Sequence, residues 1–281
     1  MTTIDDIRAN SSDELSALPG VRDIVAVASA KGGVGKSTVA ANLALAISQL
    51  GQRVGLLDAD VYGPSLPMMM GVSGRPRAVD DKRISPLEKY GLRLMSIGFF
   101  LDDNSPVTWR GPLVMGLVRQ FLKDVEWGEL DMLVIDLPPG TGDAQLTLVQ
   151  QVPLAGGIVV TTPQEVATLD TQRGIAMFQQ VNTPVLGIIE NMSYYECPKC
   201  GKRENLFSSG GGQRLAEAFG VPLLGQIPLV PAVRTGGDTG KPIVIDHPDS
   251  PVSHLFLRIA GKVLEAVEIE RLGAAPPTII G

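Results

Sequence analysis

The chain has 281 residues, 44% of them hydrophobic, which is enough apolar content to bury a sizeable core in one α/β unit. A formal net charge of -6 argues against a nucleic-acid binder that works by broad phosphate neutralisation, and no long Lys/Arg run supplies a local substitute. Two cysteines exclude a disulfide framework and point to a reducing, cytoplasmic setting.

Residues 1–20 carry Asp5, Asp6, Asp13 and Glu14 without an apolar core, so they read as a short lead-in and not as a signal peptide. No apolar run approaches the ~18 residues of a membrane span, so no membrane partner is expected. The first strand is predicted over Asp23–Ser29, and a helical pattern follows from Val39 to Ile47. Between them stand Lys31, Gly32, Gly33, Val34, Gly35, Lys36, Ser37 and Thr38, in the strand, loop and helix context that a phosphate-binding loop requires. Its glycines let successive N–H groups point at one anion, and the helix N-terminus adds partial positive charge. Lys36 would lie between the terminal phosphates and the Ser37 hydroxyl would ligate Mg²⁺.

Further strands are predicted over Arg53–Asp58, Leu92–Gly98, Met132–Asp136, Gly157–Thr161, Val185–Glu190 and Leu223–Ile227, with amphipathic stretches over Leu113–Val125, Thr168–Val181 and Gln213–Phe219. This alternation predicts an α/β fold, a mostly parallel twisted sheet with helices on both faces, and a ligand site at the carboxyl ends of the strands. Gly71–Glu88 breaks the rhythm and reads as an insertion or hairpin; Gly273–Gly281 reads as a frayed tail. The organisation expected is a lead-in over 1–20, one ATPase domain over 21–272 and a tail over 273–281.

The polar residues after the strands complete the nucleotide site. Asp136 ends an apolar strand where a carboxylate holds the Mg²⁺ shell, and Gly140 can offer its N–H to a γ-phosphate. Asp60, just past the second strand, is placed to orient the attacking water, although Asp60 and Asp143 can equally cap helices. No Asn-Lys-x-Asp element is present to read guanine. Asn191 follows the Val185–Glu190 strand, where its amide can pair with the edge of adenine, so ATP is the expected nucleotide; a turn or cap role is the alternative.

Cys197 and Cys200 form a Cys-x-x-Cys in a polar loop. Zinc sites and iron–sulfur clusters want four protein ligands, which two cysteines cannot supply, and His247 and His254 have no matching spacing. A second copy of the chain would complete the site. Spacing alone leaves structural zinc, a cluster, a dithiol redox pair and an unmetallated pair open.

Two resemblances add to this reading. Ala30 stands where a phosphate loop usually has its first glycine, and the Lys31 that follows resembles the signature lysine of the deviant-Walker ATPases, the class of MinD, ParA and nitrogenase iron protein. That lysine reaches across a dimer to the partner's phosphates; a solvated loop lysine is the alternative. Taken in order, Lys31 to Thr38, Asp58 to Ser65, Trp109-Arg110-Gly111-Pro112, Asp136 to Asp143, Asn191-Met192-Ser193, Cys197/Cys200 and Asp238 to Pro242 closely resemble the Mrp, or ApbC-like, family of iron–sulfur carrier ATPases. The resemblance implies a cytoplasmic homodimer that hydrolyses ATP with Mg²⁺, holds a [4Fe-4S] cluster between paired cysteine motifs and delivers it to apo iron–sulfur proteins. It makes Lys31 the signature lysine, Asp60 the switch I residue, Asp136 the Walker B residue, and Cys197 and Cys200 the cluster ligands. Many relatives carry a larger domain ahead of the phosphate loop, where this chain has residues 1–20. The rivals are a nucleotide-binding scaffold bridged by zinc and a positioning ATPase like MinD or ParA. A MinD-like ATPase should end in a basic amphipathic helix, whereas Val263 to Glu270 is acidic, and a ParA-like one needs a basic surface.

Overall fold

The computed structural model describes residues 18–61, 63–80, 82–100, 111–197 and 199–274. Trp109-Arg110, the lead-in before residue 18 and the tail beyond residue 274 lie outside these. In chain order the elements are β1 (Val21–Ala28), α1 (Lys36–Gln49), β2 (Val54–Asp58), α2 (Leu66–Met70), β3 (Arg77–Ala78), β4 (Ile84–Ser85), β5 (Leu87–Lys89) and β6 (Leu92–Ser96). There follow α3 (Gly111–Asp124), β7 (Leu130–Asp136), α4 (Asp143–Gln151), β8 (Gly156–Thr161), α5 (Glu165–Gln180) and β9 (Val185–Glu190). The last third holds β10 (Tyr195–Glu196), β11 (Arg203–Glu204), α6 (Gly211–Phe219), β12 (Leu223–Gln226), α7 (Pro231–Thr239), α8 (Ile243–Asp246) and α9 (Pro251–Ala274).

Eight strands form one sheet in the order β12-β9-β8-β1-β7-β2-β6-β5. Every pairing is parallel except β5 with β6. β2 and β8 are buried along their whole length, as parallel strands covered on both faces must be, which is why they read as apolar runs without alternation. The helices fall into two packed sets, α1 with α2, α7, α8 and α9, and α3 with α4, α5 and α6.

Close approach sets each layer. α1 is buried nearly all round because Ala40, Ala41, Ala44 and Ala46 let it lie between the sheet and α9. On the other side, the Phe178 ring of α5 fills the space over Gly157, where a Cβ would stand 2.5 Å from it.

Two differences from the predicted elements are local. The Leu92–Gly98 strand ends at Ser96, and Ile97–Phe99 turns into a 3-10 helix with the Ser96 hydroxyl accepting from Gly98 N. The Gly71–Glu88 segment does contain an antiparallel pair, β3 with β4, but Leu87–Lys89 then joins the main sheet as its antiparallel edge. None of the described helices is long and apolar enough to cross a membrane.

The registers align the carboxyl ends of the central strands. Asp136 of β7 faces Val27 of β1 and Asp58 of β2, and Glu190 of β9 faces Thr161 of β8 and Gln226 of β12. The polar residues that leave these strands therefore gather along one edge of the sheet.

Candidate functional site

The loop between β1 and α1 is shaped by two glycines in the left-handed region, Gly33 at φ +81 and Gly35 at φ +79. A Cβ on Gly32 or Gly33 would meet nothing within 4 Å, so the loop curls around open space; one on Gly35 would stand 2.3 Å from Asn191 Nδ2. Gly35 is thus required twice over, by its backbone angle and by the side chain pressed against it. An open, glycine-lined curl leading into the N-terminus of α1 fits a phosphate group.

Lys36, the first residue of α1, is buried, and its Nζ donates to Asp136 Oδ1 and to Ser37 Oγ, the latter at 3.3 Å. The expected phosphate lysine, Mg²⁺ hydroxyl and strand-end carboxylate are therefore together in one cluster. A fourth member, Asp58, was not among the predicted site residues. It is buried beside Asp136 on the neighbouring strand, and its carboxylate accepts from Asp60 N at 3.0 Å, Ser96 Oγ at 3.0 Å and Leu66 N at 3.3 Å. Burial and the adjacent Asp136 push the Asp58 carboxyl up to about 7, against the pull of Lys36. Burial raises Asp136 as well, opposed by Lys36 and the Ser37 hydroxyl. One ammonium thus serves two buried carboxylates, a donor set suited to a hard divalent cation. The signal in the sequence was the shared ending of two apolar strands, Leu56-Leu57-Asp58 and Val134-Ile135-Asp136.

The remaining predicted residues are placed as follows. Asp60 is half-buried at the end of β2 and its Oδ1 accepts from Gly63 N at 3.3 Å. It closes a turn and caps no helix, since α2 begins after Ser65. Asp143 opens α4 behind Gly142, so it is not the N-cap either. The Gly140 N–H donates to the Ser29 carbonyl at 2.9 Å in this conformation. Lys31 is exposed, and among the described residues its side chain makes no ion pair. Thr38 lies in the first turn of α1, where its carbonyl accepts from Asn42 Nδ2 at 2.9 Å.

Asn191 is likewise engaged within the chain. Its Nδ2 donates to the Val34 carbonyl at 2.8 Å and its backbone N–H to Thr161 O at 2.8 Å. One amide hydrogen therefore braces the phosphate loop, leaving the other hydrogen and Oδ1 for a base. Glu190, just before it, is fully buried with no ion pair among the described residues; it accepts from Ser193 Oγ at 2.6 Å, Gly212 N at 2.5 Å and Gln226 Nε2 at 2.8 Å. These bonds hold together both ends of the excursion from Asn191 to α6.

That excursion carries the cysteines. β10 and β11 pair antiparallel, Tyr195 with Glu204 and Glu196 with Arg203, and Cys197 N donates to Lys202 O at 3.0 Å while Gly201 N donates back to Cys197 O at 2.8 Å. Cys197 is half-buried and Cys200 exposed at the tip. The N–H groups of Lys199 and Cys200 and the Cys200 thiol face the Cys197 sulfur and hold its thiol below the usual range. Amides aimed at a sulfur favour a thiolate, the form that binds metal. Among the described residues no group of three or more His, Cys, Asp and Glu side chains is positioned to hold a metal ion.

The chain is similar to several known proteins over most of its length. An iron–sulfur cluster carrier protein of Aquifex aeolicus is 54% identical over 253 residues, covering 89% of this chain and 70% of that protein. The iron–sulfur cluster transfer protein NUBPL of Mus musculus is 44% identical over 261 residues, covering 92% and 80%. Among solved structures, a nucleotide-binding protein of Archaeoglobus fulgidus in complex with ADP superposes with a TM-score of 0.74 at 39% identity, covering 90% of this chain and 97% of that one. The family described as ParA, NUBPL iron-transfer P-loop NTPase, matches residues 20–264. The chain belongs to that family of iron-transfer P-loop NTPases.

Proposed function

We propose that the chain is a homodimeric ATPase that holds a [4Fe-4S] cluster between two Cys197/Cys200 pairs and passes it to apo iron–sulfur proteins. The observation that carries this reading is the cysteine hairpin. Two thiols share one tip, backbone amides favour the thiolate, and the described residues offer no further ligand nearby. Half of a four-ligand site on each chain calls for a two-fold partner. The names of the Aquifex aeolicus and mouse relatives supply the cargo.

In this reading ATP seats its phosphates in the curl of Gly32, Gly33 and Gly35, with Lys36 on the terminal phosphates and the second Asn191 hydrogen and Oδ1 facing the adenine. Ser37, with Asp136 behind it, would hold Mg²⁺, which neutralises phosphate charge. Lys36 then exchanges Asp136 for phosphate oxygens, and Asp60 orients the water. Lys31, exposed and without an intrachain ion pair among the described residues, reaches the partner's nucleotide and closes the dimer.

Nucleotide state would be read at the hairpin through movement of Asp60 and of the Gly140 turn, once its hydrogen bond to Ser29 opens.

The test is anaerobic reconstitution followed by transfer to an apo ferredoxin that takes a [4Fe-4S] cluster. Transfer is expected from the wild type and abolished in the Cys197→Ala, Cys200→Ala double variant; unimpaired transfer by that variant would contradict the carrier role.

A further inference from the structure

A cavity of about 600 Å³ opens beside the cysteine hairpin. The hairpin residues Tyr194, Cys197 and Arg203 line it together with Val230, Ile243 and Leu255, which form its apolar floor. Among the described residues of the lining the only carboxylate, Glu196, is already taken: Arg203 donates to it at 2.8 Å and also lies 4.6 Å from the centre of the Tyr194 ring. Arg258 at the rim is exposed, and among the described residues it makes no ion pair. Its α9 neighbours one turn away are His254, Leu255, Gly261 and Lys262, none of them acidic. In a chain of net charge -6, an uncompensated cation at the mouth of an apolar cavity is a local exception.

We infer that this cavity docks an acceptor apoprotein during transfer, through an apolar segment that fills the floor and a carboxylate that pairs with Arg258. The inference rests on the carrier reading above. A docked segment touches the same hairpin that carries Cys197, so it brings the acceptor's own thiols within reach of the cargo. Each ligand exchange then forms one bond from iron to an acceptor sulfur and breaks one to Cys197 or Cys200. The acceptor thiol's proton ends on the released cysteine, so no oxidant or reductant is consumed. Charge pairing at the rim would set the encounter rate and apolar contact the residence time.

The test uses the reconstituted full-length protein and an apo [4Fe-4S] ferredoxin as probe. Ala232 also lines the cavity, so Arg258→Glu and the cavity-filling Ala232→Trp should keep their cluster content, melting temperature and ATP turnover, yet transfer about tenfold more slowly, while Arg258→Lys stays within about threefold of wild type. Binding of fluorescently labelled ferredoxin, read by anisotropy, should weaken in the same two variants and show a smaller salt dependence in Arg258→Glu. Wild-type binding and transfer by Arg258→Glu and Ala232→Trp would overturn the docking site. So would a change in the sedimentation of Arg258→Glu alone, which would assign the cavity to a second copy of the chain. Loss of transfer in the double cysteine variant with ferredoxin binding intact speaks only to the cluster ligands. Retained transfer in that variant removes the carrier reading whatever the cavity does.

Discussion

The side-chain amide of Asn191 donates to the Val34 carbonyl in the phosphate loop at 2.8 Å, and the stretch of chain that leaves Asn191 leads to Cys197. The stretch is pinned at two points: Ser193 N donates to Ile227 O at 2.9 Å, and Leu229 N donates to Tyr194 O at 2.7 Å. A shift of the loop at Val34 has little slack in which to dissipate before the hairpin. In Asn191→Ala the Val34 carbonyl is left buried without this donor, costing about 1–3 kcal/mol of stability. The variant should keep its cluster but lose the effect of Mg·ATP on transfer, so that rates with and without nucleotide converge. An unchanged ratio would place the coupling elsewhere. If the other half of the amide reads adenine, the same variant should also discriminate less between ATP and GTP.

Lys36 is the one ammonium between two buried carboxylates, so its removal has a pH-dependent cost. In Lys36→Met the folded-state pKa values of Asp58 and Asp136 rise further above their unfolded values. A raised carboxyl pKa leaves stability intact at low pH and lost as pH rises through the folded value. Chemical denaturation should show a loss of about 3–5 kcal/mol at pH 8 and much less at pH 5. Equal loss at both values would mean that the lysine stabilises through packing alone.

Asp58 should also signal cation binding. In the free chain burial and Asp136 hold its carboxyl up to about 7, so part of the population is protonated at pH 6.5. A divalent cation favours the carboxylate, so Mg·ATP should release a proton from Asp58 at pH 6.5 and none at pH 8.5. Calorimetry in two buffers of different ionisation heat reads this directly, with Asp58→Asn as the control that removes this contribution and leaves those of Asp136 and of the nucleotide. Identical proton release by wild type and Asp58→Asn at pH 6.5 would contradict it.

Lys31 makes no ion pair within its own described chain, so Lys31→Ala should change unfolding free energy by no more than about 0.5 kcal/mol. Sedimentation with Mg·ATP should nonetheless show a weaker dimer, and turnover should fall with it. Wild-type association by the variant would return Lys31 to the role of a solvated loop residue.

Much of this was legible in the sequence, for physical reasons that also explain the rest. β1, β2, β7, β8 and β9 are marked by short buried runs, because parallel strands covered on both faces cannot alternate. β5 is three residues long and sits at the edge, too short to carry a pattern. The grouping of Lys36, Ser37 and Asp136 follows from motif spacing, whereas the burial of Asp58 beside Asp136 depends on strand register, which spacing does not reveal. The engagement of Gly140 with Ser29 and of Asn191 with Val34 is likewise long-range, each joining loops that follow different strands.

The carrier role turns on where the cargo sits. Native mass spectrometry of the anaerobically reconstituted protein should find a dimer carrying one [4Fe-4S] cluster, about two iron atoms per chain. The Cys197→Ala, Cys200→Ala variant should lose that mass. A wild-type dimer bridged by a single zinc ion, or a monomer holding a complete cluster of its own, would contradict the account.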